Sequence, residues 1–301
     1  MLAIRALFVG LLLICATTGI CQSVHTVSWQ STAAAPLAAL PEEQQRLLPL
    51  LRLGASTVSE ASLLPLLIAG STSATLPPDE VQQLQKLVTH RYQLIEKGST
   101  FTNAASSLAY CFSDKRPSLG QASVYFPEDF TSETPAIVFL HGFGGSFIFY
   151  LHFLAETFPD HLIICPAHGM SSSDISSTYL TECQRAISEK WGNTIDRPLL
   201  IGLSAGGFGA FREYARRPDN YSGLICLAAY PPIESRIRLL VGENEPFVKA
   251  AHFGSSIQYL EQRCSDFKMQ MMPDSDHFFL LKKSIETQNA LRQFQQEFSR
   301  R

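Results

Sequence analysis

The sequence predicts an α/β protein, a mostly parallel sheet with helices on both faces, preceded by a helical region. Three observations carry that expectation. From about residue 121 onward, short apolar runs follow one another with helix-length segments between most of them. The runs are apolar almost without interruption, as strands must be when both faces of a sheet are covered. The intervening segments show helical spacing instead of the Gly/Pro/Ser composition of loops.

Taken in order, the chain opens with Arg5 followed by an apolar stretch containing "LFVGLLLICA". That stretch is short for a membrane-spanning helix. It reads as a signal peptide over 1–21, with Gly19 and Cys21 as the small residues before a cut at Gln22, and implies export. The rival is an uncleaved anchor, which would be the chain's one route to membrane association. Residues 22–35 are rich in Ser, Thr and Ala and read as a tether. Residues 36–120 form an N-terminal helical region. Its clearest helix starts at Pro78 and Asp79, repeats Val81, Leu84, Leu87, Val88 and Leu94, and closes at Gly98.

Residues 121–301 form the expected α/β domain. Strands are predicted at "ASVYF", "AIVFLH", "HLIICP", "PLLIGLS", "YSGLICLAA", "IRLLVG" and "FKMQMMP". Helices are predicted over Phe147–Phe158, Tyr179–Trp191, Gly207–Arg216 and Val248–Arg263. A parallel sheet places its sites at the carboxyl ends of the strands.

Composition narrows the function. A net charge of −3 over 301 residues gives no basic surface for nucleic acid. Cleavage after Cys21 would leave Cys111, Cys165, Cys183, Cys226 and Cys264, an odd number that permits at most two disulfides. Cys165 and Cys226 sit in strand-like runs and read as small buried hydrophobes. No CxxC or HxxxH spacing occurs, and His152, His161 and His168 are scattered, so neither a metal nor a cofactor is expected.

One stretch stands apart. "LLIGLSAGGFGAF", residues 199–211, is an apolar strand, then Ser204, then a helix, with four glycines around one hydroxyl. A strand-to-helix turn that sharp forces the serine into a sparsely allowed conformation and brings the residues two before and two after it into contact. Gly202 and Gly206 supply the room. The pattern is the G-x-S-x-G nucleophile elbow, with Ser204 at a helix N-terminus.

Upstream, "IVFLHGFGG" at 137–145 is a buried strand ending in a glycine-rich loop. Acyl transfer requires two N–H donors for the developing oxyanion. The amides of Ala205 and Phe143 are the candidates. His141 precedes the nucleophile and reads as structural, holding this loop. Phe143, Phe147, Phe149 and Tyr150 read first as packing and second as an acyl pocket.

The motifs "HGFGG", "GLSAGG", "VGENEPFV" and "PDSDHFF" together resemble those of the α/β-hydrolases, in the family order serine, acid, histidine. "PAHGMSSSD" at 166–174 also resembles a family turn, with Ala167 in place of its first glycine. The resemblance covers about 121–299. It implies the α/β-hydrolase fold and a triad of Ser204, His277 and Glu245. An imidazole near neutrality must take the serine proton, and an acid must orient it. The family usually carries aspartate where Glu245 stands, which leaves Glu243 and Glu234 as competitors.

The resulting expectation is a secreted serine hydrolase acting on a small-molecule carboxylic ester through an acyl-enzyme on Ser204. The connection "YPPIESR" between the strands at 224–229 and 237–241 is too short for an inserted lid, so the site is open unless the N-terminal helices cover it. A peptidase, an acyltransferase and an inactive binding module on the same scaffold are the alternatives.

Overall fold

The structure, a computed structural model, describes residues 22–33, 42–72, 75–102, 104–113, 118–143, 145–171, 175–229, 236–245, 262 and 266–299. The predicted signal peptide, Glu234, Cys264 and, apart from Gln262, the predicted helix over Val248–Arg263 lie outside these residues.

Eight strands form one sheet in the order β1-β2-β4-β3-β5-β6-β7-β8. They are β1 (Ser23–Gln30), β2 (Leu119–Phe126), β3 (Ala136–Leu140), β4 (Leu162–Pro166), β5 (Leu199–Leu203), β6 (Gly223–Leu227), β7 (Ile237–Gly242) and β8 (Phe267–Met272). β2 runs antiparallel to both its neighbours, and every pair from β4 through β8 is parallel. This is the α/β-hydrolase fold. Every residue of β3, β4, β5, β6 and β7 is buried, which is why these strands read as unbroken apolar runs.

The longer helices are α1 (Glu42–Thr57), α2 (Glu60–Thr72), α3 (Pro78–Ile95), α4 (Ile148–Thr157), α5 (Ser177–Trp191), α6 (Ala205–Arg216) and α7 (Ser284–Ser299). The predicted α4, α5 and α6 agree within three residues at each end. α7 was not anticipated. Its sparse stripe of Leu291, Phe294 and Phe298 packs under the sheet, and Phe298 lies so close to Gly223 that a Cβ there would approach its ring to 2.6 Å. Beside it the buried Arg238 guanidinium pairs with Asp266 at 2.9 Å and with Glu297 at 2.8 Å.

Two expectations for the N-terminal region are corrected. Within the expected tether, Ser23–Gln30 is a strand instead, because β1 pairs with β2 from Ser23↔Phe126 to Gln30↔Leu119. Val27 and Trp29 are buried, and Trp29 lies directly on Gly120, where a Cβ would meet its ring at 2.2 Å. In α3 the buried stripe is Val81, Leu84, Val88, Tyr92 and Ile95, whereas Leu94 is exposed. Helix α3 does begin at Pro78 with Asp79 and Glu80 in its first turn, where acidic groups favour the helix dipole.

The helical region is tied to the sheet domain by polar contacts. Arg91 of α3 pairs with Glu156 of α4. Lys282 joins Glu80 of α3, at 3.6 Å, to Asp276, at 2.7 Å. The cysteines Cys111, Cys165, Cys183 and Cys226 are buried, and burial raises the thiol pKa of Cys165, Cys183 and Cys226.

Candidate active site

The parallel strands β3 and β5 to β8 all end on one edge of the sheet, and the residues singled out by sequence follow those ends. Ser204 leaves β5, its amide still bonded to the Leu227 carbonyl of β6 at 2.8 Å, and α6 starts one residue later. Its backbone sits at φ 51° and ψ −119°, a conformation rare for any residue but glycine. Tight packing forces this turn. A Cβ on Gly202 would lie 2.5 Å from the Gly206 carbonyl oxygen, and one on Gly206 would lie 2.1 Å from that of Leu140. Only glycine fits at either position.

A serine at a helix N-cap usually turns its hydroxyl onto the helix's own free amides. Ser204 makes no such cap. Its hydroxyl is therefore not spent on its own helix, and the positive end of α6 faces whatever charge develops beside it.

His277 and Glu245 come together. Nδ1 of His277 lies 2.9 Å and 3.0 Å from the two carboxylate oxygens of Glu245. The Glu245 side chain is 6% exposed and that of His277 16%, so the contact is sheltered from water. In the neutral ring a proton donated from Nδ1 leaves Nε2 as the basic nitrogen.

The acid and histidine loops are stitched together at Gly242, where a Cβ would meet the Asp276 carbonyl oxygen at 2.3 Å. The Asn244 amide donates to the Ser275 carbonyl at 2.8 Å. Asp276 accepts from the Phe278 amide at 3.0 Å and from Lys282, fixing the turn that carries His277.

The competitor Glu243 is occupied elsewhere. It is exposed, and its carboxylate accepts the Asp274 amide at 3.0 Å, where Asp274 itself takes a φ of 51°. Glu243 shapes the histidine turn and Glu245 touches the histidine.

The glycine-rich loop lies against the serine. A Cβ on Gly142 would stand 3.5 Å from Ser204 Cβ, and the Gly145 amide closes a turn onto the Gly142 carbonyl at 3.2 Å. Phe143, within that turn, is 51% exposed, and Phe208, one turn into α6, is exposed on the same edge. Phe147 and Phe149 are buried and Tyr150 is half-buried, so these three pack.

His141 anchors the start of the loop. Its Nδ1 donates to the Gly142 carbonyl at 2.7 Å and its Nε2 accepts the His168 amide at 3.3 Å. The ring stacks on that of His168 with centroids 3.6 Å apart, and Cys111 Sγ lies 3.5 Å from Nε2. Burial pushes the His141 imidazole down to about 4, so it stays neutral at physiological pH. Sequence reasoning passed over one buried acid near this loop, Glu60 in "SEASLLP".

No protein-family model matches the chain, and no curated protein matches it. Among solved structures it is similar to a predicted CIB-like hydrolase from Thermoplasma acidophilum at 16% identity and a TM-score of 0.47, over 59% of this chain and 93% of that one. A carboxylesterase from Bacillus subtilis matches at 10% identity and 0.47, over 58% and 87%. A ferulic acid esterase matches at 15% identity and 0.47, over 58% and 90%. At these values the likenesses carry no argument about chemistry, and the site stands on its own geometry.

Proposed function

We propose that the protein is an exported serine hydrolase that cleaves small carboxylic esters through an acyl-enzyme on Ser204. The observation that carries the reading is the sheltered Glu245–His277 contact on the sheet edge from which a strained, uncapped Ser204 projects.

In this reading His277 Nε2 takes the Ser204 proton as Oγ attacks the ester carbonyl. Charge then moves to the carbonyl oxygen, where the amides of Phe143 and Ala205 stabilise it. Glu245 keeps the imidazole in the productive tautomer and offsets the positive charge it gains. The alcohol departs with that proton, leaving the acyl group on Ser204. Water, activated by the same imidazole, releases the acid in the second half-reaction. Export follows from the reading of residues 1–21 as a signal peptide.

The test is covalent labelling by a fluorophosphonate probe together with hydrolysis of chromogenic esters of increasing chain length. The parent protein is expected to label and turn over. Ser204→Ala is expected to fold, to remain unlabelled and to lose at least ~10⁴ in kcat. Labelling that persists on Ser204→Ala places the nucleophile elsewhere and ends the proposal.

A further inference from the structure

The reading of Ser204 leaves a buried carboxylate unused. Glu60, at the start of α2, is 5% exposed and accepts five hydrogen bonds. Oε1 takes the Tyr92 hydroxyl at 2.5 Å, the Ser146 hydroxyl at 3.0 Å and the Ile148 amide at 3.0 Å. Oε2 takes the Phe147 amide at 3.1 Å and the Ser106 hydroxyl. A carboxylate has about four lone-pair sites, so this one is saturated.

Three of the five donors, Ser146, Phe147 and Ile148, lie in one run where the glycine-rich loop passes into α4. Phe147 and Ile148 present the amides that a helix start leaves without internal partners. Phe147, the N-cap of α4, has no side chain able to hold them. Glu60 supplies that cap from far along the chain, and its negative charge is favoured at the positive end of the helix. Tyr92 remains a phenol donor because burial, reinforced by the Glu60 charge, raises its pKa well above the ordinary value.

The loop is therefore held at both ends. His141 fixes its start through the Gly142 carbonyl and the His168 amide. Glu60 fixes its end. Only residues 143–145 lie between, and Phe143 is among them.

We infer that Glu60 is a positioning residue for the reaction: by clamping Ser146, Phe147 and Ile148 it sets where the Phe143 amide points. This rests on the reading of Ser204 as nucleophile and of the Phe143 amide as an oxyanion donor. Such a donor works only within hydrogen-bond reach of the developing charge, and a displacement of about 1 Å costs on the order of 10² in rate. Glu60→Gln replaces one acceptor oxygen by an NH₂ group and so sets a donor against donors. Glu60→Asp keeps the charge but withdraws it by one methylene.

The experiment compares the parent, Glu60→Gln, Glu60→Asp and Glu297→Gln in ester kinetics and fluorophosphonate labelling rate, well below each variant's Tm. Glu297 serves the Arg238 ion pair at the amino end of β7, away from the candidate site, and acts as a comparator for lost stability. Glu60→Gln is expected to lose on the order of 10- to 100-fold in kcat with KM within about threefold. Glu60→Asp is expected to fall between it and the parent, and Glu297→Gln to lower Tm while keeping kcat. A folded Glu60→Gln with the parent's kcat overturns the inference and leaves the Ser204 reading intact. If Glu60→Gln does not fold, Glu60→Asp decides in the same way. A parent protein that neither labels nor turns over ends both.

Discussion

The elbow can be tested at a single methyl group. In Gly206→Ala the new Cβ would stand 2.1 Å from the Leu140 carbonyl oxygen and 2.3 Å from that of His141. Ordinary contact begins near 3.4 Å, and the obstructing atoms are backbone at the buried end of β3, so either the elbow or the strand must move by about 1 Å or more. Overpacking of that kind costs about 1–3 kcal/mol. At this chain length each kcal/mol lowers Tm by roughly 2–4 °C. The same displacement moves Ser204 and the Ala205 amide, for which a loss on the order of 10² in kcat is expected. Gly209→Ala on the same helix is the matched comparator. Its Cβ would meet Ile175 Cδ1 at 2.0 Å, a nominally tighter clash, but against the far end of a side chain that can rotate, while Cγ1 at 3.1 Å and Cβ at 3.2 Å need give only a few tenths of an ångström. A gain of about 1 kcal/mol in helix propensity offsets part of that cost. Gly209→Ala is therefore expected to stay within about 1 kcal/mol of the parent and to retain activity. Thermal denaturation by circular dichroism and steady-state ester kinetics measure both. The reasoning fails if Gly206→Ala keeps the parent's Tm and kcat, or if Gly209→Ala is damaged as badly.

The acid assignment is decided by two substitutions. Glu245→Gln is expected to lose on the order of 10⁴ in kcat with little change in KM, whereas Glu243→Gln, whose amide oxygen can still accept the Asp274 amide, stays within about tenfold. Reversed outcomes in steady-state kinetics would move the acid two residues. The buried His141 gives a pH prediction. Its folded pKa of about 4 lies below the unfolded value of 6.5, so its neutral packing stabilises the fold fully above pH 6.5. As pH falls from 6.5 toward 4 only the unfolded chain gains the proton, and on the order of 3 kcal/mol is lost. Burial also lowers the pKa of His152 and His161, so the parent's slope has several sources. In urea denaturation at pH 7.5 and 4.5, His141→Asn is expected to show a smaller difference in stability than the parent. An unchanged difference would refute the assignment.

What could be read from sequence follows from where each signal resides. Strands β3 to β7 were legible because burial on both faces demands uninterrupted apolar residues. Ser204 was legible because its two glycines and flanking strand and helix are local. The strand β1 was not, because a sheet edge needs only alternate apolar residues, here Val27 and Trp29, and the polar partners between them dominate the composition. Helix α7 hid for a similar reason, its three large buried apolar residues being diluted by glutamine. Leu94 was read as core and is exposed, because choosing a stripe from a mixed helix requires knowing its neighbour, and the neighbour selects Tyr92 and Ile95. Glu60 was illegible in principle. Its donors Tyr92, Ser106, Ser146, Phe147 and Ile148 lie 32 to 88 residues away in the chain, and nothing in "SEAS" announces them.

The pairing of β1 with β2 also determines which part of the chain can stand alone. All the motifs lie beyond residue 121, yet a protein begun at the start of β2 would leave the outer edge of that strand bare. That edge now satisfies an eight-residue ladder and lies under the Trp29 ring. Stripped of β1 it would present unpaired N–H and C=O groups beside newly opened apolar surface, a template for another chain to add its own strand. The expected product of such trimming is self-association through the sheet edge, even with Ser204, His277 and Glu245 all present.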